Sequence, residues 1–113
     1  MFLYIEQQFF NIKNCLYYEY NLSELELEFS GALNSKIVQT EAEFKDFSNY
    51  INKNKEELNI INLNSNIAIN LNKVCGIFLK ENKIIVSFED GYMKEFCISL
   101  EENQLQKILE EGK

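Results

Sequence analysis

Three carboxylates at alternate positions, in Glu24-Leu25-Glu26-Leu27-Glu28, are the most distinctive chemistry in this chain. The side-chain period of a strand is two, so all three project from one face at spacings of about 7 Å. Leu25, Leu27 and Phe29 then point the other way, into a core. Glu19, on the preceding candidate strand, extends the acidic face if the two strands form a hairpin. Like charges in a row cost stability, so the row either faces water or meets a cationic surface. The plain reading is the solvated outside of a sheet. The sharper expectation is a docking face for a basic protein surface, formed by Glu19, Glu24, Glu26, Glu28 and the neighbouring Tyr17. Complementary fields steer and orient such encounters. A Ca²⁺ site would need an Asp-rich loop, and the sequence has none.

Aromatic residues crowd the same region: Phe2, Tyr4, Phe9, Phe10, Tyr17, Tyr18 and Tyr20. On one strand Tyr18 and Tyr20 share a face and Tyr17 takes the other. Most belong to a core, and an exposed subset would suit an interface, where tyrosine is enriched. Stacking on single-stranded bases would also need cations nearby, and these tyrosines neighbour glutamates.

Other chemistry is missing. There is no histidine for acid–base work at neutral pH. The four glycines are isolated, so there is no phosphate-cradling loop. No C-x-x-C, G-x-S-x-G or H-E-x-x-H occurs. The expectation is a non-catalytic protein with no cofactor and no metal site. Cys15, Cys75 and Cys97 are odd in number and widely spaced, which argues against a disulfide framework and for a reducing cytoplasm.

At 113 residues the chain is expected to be one domain. Eighteen acids against eleven lysines give a net charge of −7. Residues 1–58 hold ten acids and five lysines, and residues 59–113 hold eight and six. Like charge repels a free polyanion, so direct binding to bulk DNA is not expected. No apolar run is long enough for a membrane span, and Met1–Phe10 lacks the basic start of a signal peptide. Fifteen asparagines and thirteen isoleucines beside three alanines and no arginine indicate AT-rich coding, as in a low-GC bacterium or its phage.

The elements that would position these residues recur. Shifting the chain by 59 positions lays Phe9-Phe10-Asn11-Ile12 on Ala68-Ile69-Asn70-Leu71, Cys15 on Val74, and Leu25, Leu27 and Phe29 on Ile84, Val86 and Phe88. Strands are expected at 2–5, 9–12, 16–20, 25–29 and 36–39, and again at 59–63, 67–71, 76–79, 84–88 and 93–98. Each series ends in a helix opened by a capping box, Thr40-Glu41-Ala42-Glu43 and Ser99-Leu100-Glu101-Glu102. Phe44, Phe47, Ser48 and Ile51 share one helical face, as do Leu105, Ile108 and Leu109. The expected architecture is α+β: two tandem β-meander-plus-helix repeats, 1–58 and 59–113, joined in one pseudo-twofold domain with antiparallel sheet and two covering helices.

By topology alone, such tandem ββββα units resemble folds that bind single-stranded nucleic acid. Their basic, aromatic-bearing sheet face is missing here, so the resemblance implies no site residues. The leading expectation is therefore an acidic inhibitor that docks on a basic, nucleic-acid-handling protein. It would be an anti-CRISPR-type phage protein or an immunity protein against a toxin nuclease, acting in part as a nucleic-acid mimic. The alternatives are a small single-strand nucleic-acid or nucleotide binder, and a self-assembling scaffold subunit.

Overall fold

A computed structural model describes residues 2–5, 7–21, 24–31, 36–40, 47, 49–54 and 57–111. The fold is a sheet-rich α+β arrangement of antiparallel sheets with two helices. Strands β1 (Phe2–Ile5) and β2 (Gln8–Asn11) form a hairpin, and a 3-10 turn (Ile12–Asn14) follows. Strands β3 (Cys15–Asn21), β4 (Glu24–Phe29) and β5 (Lys36–Thr40) form a meander. Helix α1 includes Phe47 and residues 49–53. The order then recurs: β6 (Ile60–Asn62), β7 (Ile67–Asn70), a 3-10 turn (Leu71–Lys73), β8 (Val74–Lys80), β9 (Lys83–Phe88), β10 (Met93–Phe96) and α2 (Glu102–Glu111).

Small features recur with it. Asn11 and Asn70 each cap their 3-10 turn by accepting from the amide two residues on. The ladder slips between Cys15 and Tyr17, and again between Val74 and Gly76. Such bulges bend a strand and raise its twist. Gly31 and Gly91 both close turns at positive φ, +74° and +88°, a region open to glycine because it has no Cβ.

The sheets do not join symmetrically. The second hairpin enters the first meander through β3–β7, giving a five-stranded sheet in the order β5-β4-β3-β7-β6. The first hairpin remains a two-stranded sheet, and β10-β9-β8 remains three-stranded.

The five-stranded sheet has a core on each face. Leu25, Leu27 and Phe29 join Phe10, Ile12 and Cys15, with Phe47 and Ile51 of α1, in one cluster. Tyr17, Ile61, Ile67 and Ile69, from the opposite face, join Ile84, Val86, Phe88 and Phe96 of the three-stranded sheet and Leu105 of α2 in the other. Strict alternation in β4 makes this possible, since successive residues serve different layers. Full burial of each leucine stabilises by about 1.5–3 kcal/mol.

The first expected capping box extends past Thr40, the end of β5, into residues outside those described. The second differs from expectation. Helix α2 begins at Glu102, and the Glu101 amide donates to Gln104 Oε1 at 2.9 Å. The reach-back is made by glutamine at the third helical position rather than by Glu102 toward Ser99. The strand ladder ends at Phe96 and Ile98 N donates to Phe96 O, so the chain turns once more before helix geometry starts. Among the described residues no helix is long and apolar enough to cross a membrane.

Candidate functional site

The acidic row lies on β4, with Glu19 of β3 directly across from Glu26 and Asn21 across from Glu24. Glu24 is exposed, Glu19 and Glu26 are half-buried, and Glu28 is only 7% exposed. The physical reason is the layer order. The face opposite Leu25 and Leu27 is turned toward the β8–β10 sheet, so the acids pass from solvent at Glu24 into the sandwich at Glu28.

Tyr17 is fully buried. Its hydroxyl donates to Glu26 Oε1 at 3.1 Å. Its ring meets Phe96 edge-on at 5.3 Å and stacks near Phe88 and Tyr92 at 6.2 and 6.5 Å. Lys94 Nζ lies 5.6 Å from the ring centroid, a cation–π distance. Burial, then a hydrogen bond with Tyr92, then the charge of Glu26 push the phenol well above its ordinary range. Tyr17 is a polar strut between two sheets and is not available to a partner. Tyr18, on the other face, packs edge-on against Phe47 at 5.0 Å, and burial pushes its phenol up to about 12. Neither tyrosine offers a stacking platform.

A second constellation forms where the two 3-10 turns meet. Asn70 is 1% exposed, yet every polar group of its side chain is used. Nδ2 donates to Cys15 O at 2.9 Å and to Lys13 O at 3.4 Å, and Oδ1 accepts from Asn72 N at 3.1 Å. One amide thus clamps the first turn to the second. Asn11 does only the local half of this job, accepting from Lys13 N at 3.1 Å. The result is a ledge with exposed Lys13 and Asn72 and half-buried Asn11, Asn14 and Lys73. Lys73 Nζ pairs with Glu89 Oε1 at 2.9 Å, and Glu89 N donates to Lys73 O. Lysine charge and amide groups that both donate and accept suit phosphate oxygens and base edges. The signal was present as Asn11-Ile12-Lys13-Asn14 and Asn70-Leu71-Asn72-Lys73, 59 residues apart. What the residues alone could not disclose is that the two turns touch.

Among the described residues no group of three or more acidic or cysteine side chains is placed to hold a metal ion. Cys15 is buried, which together with Glu28 pushes its thiol up to about 12, while Cys75 and Cys97 are exposed.

No protein-family model matches the chain. A comparison with curated proteins returns no match. Among solved structures the fold is similar to the LytTr DNA-binding domain of a methyl-accepting/DNA response regulator from Bacillus cereus. The TM-score is 0.63 at 12% identity, over 96% of this chain and 94% of that one. This likeness overturns the expectation of a protein-docking inhibitor, and with it the anti-CRISPR and immunity-protein readings. The fold is that of a domain named for binding DNA. It also overturns the exclusion of DNA as a partner. That exclusion rested on net charge, a sum over the whole chain, whereas phosphate contact depends on where individual cations stand.

Proposed function

We propose that the chain is a non-catalytic DNA-binding module that contacts the duplex through the ledge of its two 3-10 turns, with Lys13, Asn72 and Lys73 as the contacting residues. The observation that carries this reading is the match, over nearly the whole chain, to a domain named for DNA binding. The clamp of Asn70 supports it by fixing two lysine-bearing turns side by side. The chain carries a net charge of −7, so binding through this ledge depends on local lysine–phosphate contact and not on overall attraction. Exposed thiols at Cys75 and Cys97 suit work in a reducing cytoplasm.

The test is fluorescence anisotropy with a labelled duplex at about 50 mM salt. Two lysine–phosphate contacts give a slope of log K against log salt of about −2. The double substitution Lys13→Glu, Lys73→Glu should abolish binding. Glu89→Gln, which releases Lys73 from its carboxylate, should tighten it. A flat titration with wild type, over a panel of duplex sequences, would sink the proposal.

The finer architecture is part of the same reading: residues 1–58 and 59–113 are tandem units of one domain. The repeated element order, the paired asparagine caps, and the paired ladder slips support it.

A further inference from the structure

Each half of the molecule carries a surface that the other half uses. Inside the chain, β7 of the second hairpin adds to β3 of the first meander, with Tyr17 opposite Ile69, Tyr18 opposite Ala68 and Glu19 opposite Ile67. The counterpart of β3 is β8, which among the described residues pairs only with β9 and so ends its sheet. The counterpart of β7 is β2, which among the described residues pairs only with β1. We propose that the β1–β2 hairpin of one copy adds to the open edge of β8 in a second copy, as β6–β7 adds to β3 within the chain.

The proposal rests on the tandem-unit reading and is independent of DNA binding. The 59-residue offset sets its register: Phe10 opposite Gly76, Phe9 opposite Ile77 and Gln8 opposite Phe78. The side chains agree with it. Phe2, Tyr4 and Phe9 are 59%, 58% and 67% exposed, and Tyr4 and Phe9 face each other across the hairpin with ring centroids 4.7 Å apart. The counterpart of Phe9 is Ala68, which is fully buried where β7 lies between β3 and β6. On the receiving side, Ile77 and Leu79 share a face with buried Ile84 and Val86. Leu79 is 39% exposed, and Ile77 with α2's Ile108 and Leu109 stays half-buried. The core therefore ends in an apolar rim beside an open strand edge, and an apolar hairpin face is what would cover it. Because donor and acceptor surfaces differ, the contact is heterologous and propagates head to tail.

The test is multi-angle light scattering on the full chain from about 1 µM to about 1 mM, a range that resolves weak association. Mass should grow with concentration, and added salt should favour growth by screening the repulsion between copies of charge −7. Added salt weakens DNA binding, so the two readings fail separately. Phe9→Asp and Leu79→Asp should each leave a monomer whose circular dichroism matches wild type. Mixed together, these two variants should form a heterodimer and nothing larger, since one keeps its β8 edge and the other keeps its hairpin. In a Cys75→Ser/Cys97→Ser background, Phe9→Cys and Ile77→Cys chains should cross-link to one another on mild oxidation. A strict monomer over the whole range, association that survives both aspartates, or a mixture that stays monomeric would each overturn the proposal.

Discussion

The two meanders are built from matching strands yet live in different surroundings. In β3 and β4, alternate residues feed two cores, and the inner edge of β3 is occupied by β7. Leu25, Leu27 and Tyr17 are fully buried as a result. In β8–β9–β10, among the described residues, the clustered core lies on the face of Ile77, Ile84 and Val86, and on the other face Phe78 and Met93 stand 53% and 57% exposed. The cysteines show the same contrast: Cys15 is sealed, whereas Cys75, beside the corresponding ladder slip, is open. Burial in this protein is decided by which layer comes next, and much less by the strand's own composition.

The comparison can be broken most sharply by truncation. Leu27→Ala should cost about 3–4 kcal/mol, because the removed methyls leave a cavity between fixed layers. Ile77→Ala, on a half-covered strand, should cost about 1 kcal/mol, because the rim can relax. Urea unfolding of both variants measures the difference, and equal losses would mean that the second meander is as tightly held as the first. Next in size is charge reversal along the acidic row. Glu28→Lys should cost about 2–3 kcal/mol, since it places an ammonium where a nearly buried carboxylate now sits. Glu24→Lys, at the exposed end, should stay within about 0.5 kcal/mol. Loss of stability that is uniform along the row would show that the layers do not close over Glu28.

The two cap asparagines sharpen the contrast further. Asn70→Ala removes three hydrogen bonds and leaves the carbonyls of Lys13 and Cys15 short of a donor, a loss of about 2 kcal/mol. Asn11→Ala loses a local cap alone, about 0.5–1 kcal/mol. Thermal denaturation of each, side by side, reads the effect of clamping two turns together.

Proton linkage has no effect near neutral pH and emerges only in alkali. Burial holds Cys15 and Tyr18 protonated, each pushed up to about 12, and Tyr17 is pushed up as well. Groups raised in this way contribute stability that is complete below their unfolded-state values. It is lost as pH climbs from about 9, the ordinary thiol value, toward 12. Melting temperature should therefore hold near pH 8 and fall progressively above pH 9. At pH 8 a thiol reagent should label Cys75 and Cys97 within minutes and leave Cys15 untouched until the chain unfolds. Labelling of all three at one rate would contradict the sealed layer.

Most strands were legible from the residues. The alternation in Glu24–Phe29 gave β4 and the inward turn of Leu25 and Leu27, whereas the ladder slips beside Cys15 and Val74 had no signal in the residues. The site was less legible. The acidic row was read as an outer face because an E-x-E-x-E strand looks the same whether water or a second sheet lies beyond it. Tyr17, proposed as an interface anchor, became a core strut for that reason. The start of α2 moved because Ser99 offered a local cap while Gln104 offered a better one after the chain had turned.

The residues by themselves determined most of the strands, the two-sided character of β4 and the presence of a C-terminal helix. All of these depend on side-chain period and on interactions spanning a few positions. The tertiary structure alone decided which hairpin joins which meander, which carboxylates are buried, and that Asn70 ties the two 3-10 turns together. Those outcomes depend on contacts between residues far apart in the chain, such as Tyr17 with Ile69 and Lys13 with Asn70, where no local pattern distinguishes one partner from another.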